Sequence, residues 1–281
     1  MDTAWVALGL VPRLGANKLR ALCNHFGSAQ AALRADEAAL RQVAGIGPTI
    51  AQAITQLQLE QVEAQLARWQ AQGVRVLPLG ELGYPPPLFR LDDPPPLLFA
   101  LGQDEPRLWA DAIAIVGTRR PSPAAQSLAY ALAAGLAARG ATIVSGLALG
   151  IDRAAHEGAL SAAGRSAAVL GNGVLDPYPP QNADLALSLR RRGALLCECP
   201  PDAAVSAQRL VARNRLISGL ARALIVVETE VDGGAMHAAR FALAQGQPLY
   251  VVESHASGNR ALLDGGAHPL PNQATEALEH L

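Results

Sequence analysis

The amino-acid sequence predicts an α/β fold, in which a small all-α domain precedes a doubly wound, mainly parallel sheet. Short continuous apolar runs alternate with helical stretches from about residue 112 onwards, as in parallel sheets that are covered on both faces. Residues 1–72 are rich in Ala, Leu and Gln and are predicted to be helical. Prolines crowd between these regions, in GYPPPLF and DDPPPLLF, where they disfavour helix.

These composition changes predict four segments. Residues 1–72 form the helical domain, 73–111 a proline-rich linker and edge segment, 112–270 the α/β domain, and 271–281 a C-terminal tail. Within the helical domain, LVPRLGANKLRALCNHFGS (10–28) and LRQVAGIGPTIAQAI (40–54) each place a glycine turn before an amphipathic helix, as a helix-hairpin-helix does. Such hairpins can offer backbone N–H groups to DNA phosphates or serve only as packing units, and both interpretations stay open.

The apolar runs of the second domain are predicted strands. They are Ala112–Val116, Thr142–Val144, Ala167–Leu170, Ala194–Cys197, Leu224–Val227 and Pro248–Val252. Helices are predicted between them, including Pro123–Arg139 and Asn182–Arg192. In a sheet of this kind the ligand lies beyond the carboxyl ends of the strands.

Composition excludes several classes of protein. The net charge of −1 argues against a histone-like binder, so any nucleic-acid site must be a local patch. Lys18 is the single lysine, and all other basic residues apart from histidine are arginine, which suits phosphate recognition but also arises from biased codon usage. The three cysteines form no CxxC pair, which disfavours both a disulfide framework and a zinc site. No apolar span and no signal-peptide pattern is present, so a cytoplasmic protein is expected.

Anion-binding residue types follow several predicted strands. Gly117-Thr118-Arg119-Arg120 follows the first, Ser145-Gly146 the second, and Gly171-Asn172-Gly173 the third. Glycine and hydroxyl residues allow a phosphate to approach the backbone, and helix N-termini add partial positive charge. Arg119 is predicted to clamp a phosphate, because a guanidinium can bind two phosphate oxygens. Arg120 could do the same or form an outward salt bridge.

The segment RLVARNRLISGLAR (209–222) carries further arginines. On one continuous helix Arg209 and Arg213 would share a face, while Arg215 would align with Arg222. One pair could therefore face the ligand while the other pairs elsewhere. Arg190, Arg191 and Arg192 precede Gly193 and are predicted to complement the dipole of the helix that they end.

Catalytic and cofactor motifs are missing from the sequence. There is no GxGxxG and no Walker A motif, so neither a dinucleotide nor ATP is indicated as a cofactor. Asp152 and His156 lack a third metal ligand, and they are predicted to be a first-turn helix residue and a packed histidine. We therefore expect a binding protein rather than an enzyme, with no metal and no cofactor.

Four motifs in order resemble the DNA-processing protein A family, also called DprA or Smf. They are GTRRPS (117–122), SGLALGIDRAAH (145–156), VLGNGVLDPYPPQN (169–182) and RNRLISGLARALIVVE (213–228). The resemblance implies a SAM-like helical module before an extended Rossmann-like domain. It further implies a homodimer through the Rossmann-like domain that binds single-stranded DNA, protects it, and loads the RecA recombinase in natural transformation.

The resemblance also implies the site residues. Those lining a pocket for DNA phosphates would be Gly117, Arg119, Ser145, Gly146, Arg165, Arg213 and Asn214, to which the loop pattern adds Thr118, Arg120, Asn172 and Arg209. Leu149 stands where the family has an arginine, and SAQRLVARNR lacks the family's phenylalanine, which would stack a base. The residues after Leu270 leave no room for the winged-helix module of many relatives. For the homodimer, Leu220, Leu224 and Met236 could form an interface or simply pack in the core.

Two other functions on the same superfold are considered. A phosphoribohydrolase-like enzyme would need a PGGxGT loop and a catalytic glutamate. VETEVDGGAMHAAR (227–240) offers Glu228 or Glu230 and Gly233-Gly234, without the PGG. A sensor that holds a nucleotide-derived signal is the other alternative.

Overall fold

The structure is a computed structural model that describes residues 2–103 and 106–281. It divides into two compact units. The first consists of the chain up to Tyr84 together with Leu91–Phe99, and the second of Pro85–Arg90 together with Ala100–Leu281. Across the described ranges, no helix has the length and apolar character that a bilayer crossing requires.

The first unit begins with short helices and continues into strands. In chain order these are α1 (Thr3–Gly9), α2 (Ala16–Phe26), α3 (Ala29–Leu33), α4 (Glu37–Leu40), α5 (Pro48–Thr55), α6 (Leu59–Ala71), β1 (Arg75–Pro78) and β2 (Leu97–Gly102), whose last residues belong to the second unit. The side chains of Asp2, Ser28 and Asp36 each accept a hydrogen bond from a first-turn N–H, which satisfies donors that the helix itself cannot.

Both predicted glycine turns precede helices, as the sequence indicated. Helix α2 follows Gly15, and α5 follows Gly47 with Pro48 in its first turn. In the second turn Gly45 has a φ of 83°, which a residue with a side chain would rarely adopt. Fully buried leucines, including Leu8, Leu19 and Leu40, hold these helices around one apolar core.

The second unit alternates strands and helices. Its elements are β3 (Ala112–Val116), α7 (Pro123–Ala138), β4 (Thr142–Ser145), α8 (Ile151–Ser161), β5 (Arg165–Val169), α9 (Ala183–Arg192), β6 (Gly193–Cys197), α10 (Ala207–Ala212), α11 (Asn214–Leu220), β7 (Ala223–Val226), α12 (Ala235–Ala244), β8 (Leu249–Val252), α13 (Ser257–Asp264), β9 (His268–Leu270) and α14 (Ala274–Ala277). The predicted strands are confirmed to within two residues at each end.

The sheet of this unit is parallel, with strand order β6-β5-β4-β3-β7-β8-β9. Strand β3 lies at its centre, where Ala114 pairs with Val144 of β4 on one side and Leu224 of β7 on the other. Every residue of β3 is buried, which explains its continuous apolar run. This confirms the doubly wound α/β prediction.

The end of the chain takes part in the core. Strand β9 was not predicted, because its three residues include a proline and only Leu270 is buried. In the segment predicted to be a tail, α14 packs against α7, and Leu278 lies where a Cβ on Gly135 would come within 2.4 Å of it.

A substitution at Gly158 would test the contact between α7 and α8. A Cβ at this position would lie 2.1 Å from the carbonyl oxygen of Tyr130, which is backbone and cannot easily move. Gly158→Ala should therefore lower the free energy of unfolding by about 1–3 kcal/mol, although alanine is by itself the better helix former by about 1 kcal/mol. Chemical denaturation measures the change.

The control is Ser127→Ala, an exposed position on α7, where we expect a change within about 0.5 kcal/mol. A stabilised Gly158→Ala protein would show that the close packing of α7 on α8 is wrong.

Candidate functional site

A cleft of about 380 Å³ opens at the carboxyl ends of β3 and β7. After β3 the chain continues to β4 on one side, and it returns to β7 on the other side only after β6. The loops after β3 and β7 therefore diverge, which creates a crevice of the kind that holds ligands in doubly wound sheets. The lining comes from three segments, namely Val116–Arg120, Leu210–Asn214 and Gly233–Ala238, together with Ala148 and Asp152.

The loop after β3 is held at both ends. The N–H of Thr118 donates to the carbonyl oxygen of Glu228 at 2.7 Å, and the carboxylate of Glu228 accepts from the N–H of Ser122 at 2.8 Å. Gly117 allows the close approach of α8, because a Cβ there would lie 2.6 Å from Cγ1 of Ile151. The glycine therefore serves packing within the protein, and its predicted contact with a phosphate stays a prediction.

Arg119 and Arg120 project from this fixed loop into solvent. Both are exposed, and within the described part of the chain neither side chain forms a hydrogen bond or a salt bridge. Other arginines are paired: Arg215 with Glu198, and Arg222 with Asp111, as expected for the second arginine pair. The lip of the cleft thus carries two guanidinium groups that pair with none of the described carboxylates.

Arg213 is buried beneath this lip, with a side chain only 6% exposed. Its guanidinium donates hydrogen bonds to the carbonyl oxygens of Gly146 and Val169, at the ends of β4 and β5. A Cβ on Gly146 would lie 2.3 Å from that guanidinium, so glycine is needed to make room for it. Both bonds are donated by Nη1, and the buried Nε has no hydrogen-bond partner among the described residues. That Arg213 binds phosphate stays a prediction.

Asp152 is the counter-charge of Arg213. Its carboxylate accepts hydrogen bonds from the N–H groups of Gly146 at 3.1 Å and Ala148 at 3.3 Å. Burial raises the pKa of Asp152, and the positive charge of Arg213 together with these hydrogen bonds opposes that rise. Burial likewise lowers the pKa of Arg213, with Asp152 opposing and Arg119 adding to the shift. A guanidinium still stays protonated, so these two charges largely cancel and the net positive charge of the cleft comes from Arg119 and Arg120.

His156 is a packed residue, as predicted. Ser166 donates its hydroxyl proton to the carbonyl oxygen of Ile143, so the Nδ1–H of His156 donates to the Ser166 oxygen at 2.7 Å. Burial, with a smaller contribution from Arg213, lowers the pKa of His156 to about 3. The described residues contain no cluster of three or more metal-ligating side chains.

The structure brings together six of the predicted residues at the cleft: Gly117, Thr118, Arg119, Arg120, Arg213 and Asn214. Gly146 lies beside them in a smaller pocket of about 60 Å³, which also contains Arg119 and Arg213. Ser145 and Asn172 are buried and bond inward, Ser145 to the carbonyl oxygen of Ile115 at 2.6 Å and Asn172 to that of Gly173 at 3.2 Å.

The other two predicted arginines are not among the residues that line the cleft. Arg165 is the first residue of β5, so it lies at the amino edge of the sheet, and its Nη2 donates to the carbonyl oxygen of Gly140 at 2.8 Å. Arg209 and Arg213 do not share a helical face, because α10 ends at Ala212 and α11 begins at Asn214. Arg209 bonds instead to the carbonyl oxygen of Ala204 at 2.6 Å.

Tyr178 is a residue that sequence reasoning had not selected. It is 40% exposed and lines the smaller pocket with Arg119, Leu149 and Pro179. In the described part of the chain it is the only Phe, Tyr or Trp that lines either pocket. Its position in VLGNGVLDPYPP, after the third predicted strand, was the available signal.

The glutamates that the enzyme alternative would use are engaged elsewhere. Glu228 fixes the start of α7 through Ser122, and the carboxylate of Glu230 accepts hydrogen bonds from the N–H, at 3.1 Å, and the hydroxyl of Ser257, at the start of α13. These bonds lower the pKa of Glu230. Neither carboxylate is among the groups that line the cleft.

Comparison with known proteins finds two family models that match this chain. The family model described as DNA recombination-mediator protein A matches residues 75–281, and a helix-hairpin-helix motif matches residues 3–64. The protein Smf of Synechocystis is 32% identical over 97% of this chain and 74% of its own length.

Two solved structures resemble the chain. DNA processing protein A of Streptococcus pneumoniae shares the fold, with a TM-score of 0.85 at 23% identity over 100% of this chain and 98% of the other. DNA processing protein A of Helicobacter pylori matches with a TM-score of 0.66 and 29% identity over 74% of this chain and 94% of the other, and that protein is described as having a unique single-stranded DNA binding mode.

The buried histidine predicts a pH dependence of stability. Its pKa is about 3 in the folded protein and ordinarily near 6.5, so neutral His156 favours folding above pH 6.5, and this contribution is lost as the pH falls towards 3. In urea unfolding, wild type should lose stability between pH 7 and pH 4.5, by at most about 1.4 kcal/mol per pH unit from this group.

Glutamine does not titrate, so His156→Gln should lose less stability over the same pH interval. Asp152 and all other titratable groups are the same in both proteins, so the difference between them reports His156. His280→Gln, which removes an exposed histidine, is the control and should follow wild type. Parallel pH profiles for wild type and His156→Gln would contradict the assignment.

Proposed function

The chain belongs to the DNA recombination-mediator protein A family, and on that premise we propose that its cleft binds the phosphodiester backbone of single-stranded DNA. The protein is proposed to act by binding, without a chemical step. Its cellular role would be to protect incoming DNA and to load the RecA recombinase onto it during natural transformation and recombination.

The observation that carries this proposal is the pair of arginines without a described acidic partner on a loop that is hydrogen-bonded at both ends. Arg119 and Arg120 occupy successive positions at the lip of the cleft, and the loop is fixed through Glu228 and Gly117. Because a guanidinium can bond two phosphate oxygens at once, each arginine can hold one phosphate of a chain. Across the cleft, Gly234 leaves the backbone open to close approach, as no atom lies within 4 Å of a Cβ built on it.

Selection for a single strand follows from the size and lining of the site. A flexible strand can turn its backbone into a cleft of about 380 Å³, whereas a duplex is too stiff and too wide to do so. Unpaired bases are also free to stack on an aromatic ring. Tyr178 offers such a ring beside Arg119, in place of the phenylalanine that this chain lacks.

A homodimer would raise the avidity of a site that holds few nucleotides. Leu220, Leu224 and Met236 are buried within the unit, so the interface would have to use other residues. Leu243 on α12, which is 54% exposed, is one apolar side chain that is available for it.

Arg119→Ala is the direct test of the phosphate site. Loss of one charged contact should weaken binding to oligo-dT by about ten-fold or more. It should also reduce the slope of log affinity against log salt by roughly 0.7, the contribution of one single-strand phosphate. Fluorescence anisotropy over a range of salt concentrations measures both. Arg240→Ala, an exposed arginine outside the cleft, is the matched control.

Excess duplex DNA should compete poorly in the same titration. An unchanged salt slope in Arg119→Ala would remove this arginine from the site, and equal competition by duplex would refute single-strand selectivity. Arg213→Ala is not an informative variant, because its loss would also disrupt the strand ends that it connects.

Tyr178 should contribute by stacking. Tyr178→Leu is expected to lower the affinity for oligo-dT by roughly ten-fold, which corresponds to a stacking energy of about 1–3 kcal/mol per base. Tyr178→Phe keeps the aromatic face and should bind like wild type. On a strand of equal length that carries no bases, all three proteins should bind alike, and a loss that persists there would exclude stacking.

A further inference from the structure

A second cavity, of about 290 Å³, lies at the opposite edge of the sheet and is lined by three arginines. Arg165 comes from the start of β5, and Arg191 and Arg192 from the end of α9. We propose that this cavity, which we call the amino-edge pocket, binds phosphate groups independently of the cleft. Its remaining lining residues are Gln103, Leu108, Ala163 and Gly164, and none of the residues described around it is acidic.

Arg165 is held in place with its charge intact. Its Nη2 donates to the carbonyl oxygen of Gly140 at 2.8 Å, and its Nε lies 3.4 Å from the hydroxyl oxygen of Thr142. Both partners are uncharged, so they orient the guanidinium without neutralising it. A fixed cation with donors to spare is what a phosphate-binding residue requires.

Arg191 and Arg192 provide more positive charge than the helix end needs. The C-terminus of a helix carries a partial charge of about −0.5, and the last turn of α9 carries Arg190, Arg191 and Arg192. One carbonyl of that turn is already satisfied, because the side-chain amide of Gln103 donates to the carbonyl oxygen of Arg191 at 2.9 Å. The exposed Arg191 and Arg192 therefore bring more positive charge than the helix end offsets, and they line the same cavity as Arg165.

Three other arginines of the second unit are paired with carboxylates. Arg153, Arg215 and Arg222 each have a carboxylate within 2.8 Å. Three guanidiniums that share one cavity repel one another until an anion lies between them. The chemistry that suits the amino-edge pocket is therefore a chain of phosphate oxygens, supplied either by a free polyphosphate, such as the tail of a nucleoside triphosphate, or by the backbone of a longer nucleic acid.

Inorganic tripolyphosphate is the probe for the test, with isothermal titration calorimetry on the full-length protein. The double variant Arg191→Gln/Arg192→Gln should lose at least about ten-fold in affinity relative to wild type. Arg190→Gln is the matched control, since it removes one charge from the same helical turn but does not line the pocket. Thermal melts establish that all variants are folded.

Arg119→Ala separates the two sites. Tripolyphosphate binding that survives Arg119→Ala but not the double variant supports the amino-edge pocket, whether or not the cleft binds DNA. Equal losses in Arg190→Gln and the double variant, loss in Arg119→Ala alone, or no binding to wild type would each overturn the proposal.

The length of the oligonucleotide distinguishes the two sources of phosphate, a free polyphosphate and the backbone of a nucleic acid. This comparison rests on the proposed function. If the backbone of the same DNA strand reaches the amino-edge pocket, the double variant should weaken binding of a long oligo-dT and leave a short one unaffected. If both lengths bind the double variant as they bind wild type, the pocket takes free polyphosphate. Should the wild-type protein fail to bind either length, only the cleft proposal is contradicted.

Discussion

The cleft depends on the backbone hydrogen bonds of two buried charged residues, Arg213 and Asp152. Arg213 connects the carbonyl groups at the ends of β4 and β5, and Asp152 receives N–H groups from the loop that follows β4. A buried charge is costly unless hydrogen bonds replace its lost hydration, and these backbone bonds do so. The pair therefore fixes three neighbouring segments in one arrangement, and the shape of the cleft follows from it.

The same residue type performs opposite tasks within a short distance. Arg213 is buried and its Nη1 donates to backbone carbonyl groups, whereas Arg119 and Arg120 are exposed and their side chains have no hydrogen-bond partner among the described residues. Arg119 is nevertheless close enough to lower the pKa of Arg213. The positive charges of Arg213 and Arg119 therefore repel each other, and the carboxylate of Asp152 reduces this repulsion. An anion bound at Arg119 would reduce it further.

The fold was largely predictable because a strand that is buried on both faces of a sheet has a continuous apolar sequence. Ala112–Val116 was predicted residue for residue, since every position in it must be apolar. The site was less predictable. The loops after β3 and β7 could be placed at one edge from topology alone, but Arg165 begins its strand, so it lies at the other edge. Arg209 was assigned to one helix with Arg213, and the break between α10 and α11 separates them.

The sequence by itself predicted six buried strands alternating with helices, the family, and which loops follow the carboxyl ends of those strands, because these depend on local apolar patterning and on motifs contiguous in the chain. Only the tertiary structure decided which polar side chains face outward. Arg213 is buried because Gly146, 67 positions away, has no side chain to exclude it. Tyr178 reaches the neighbourhood of Arg119 because the ends of parallel strands meet. Such contacts depend on distances between residues far apart in the chain, which no linear pattern records.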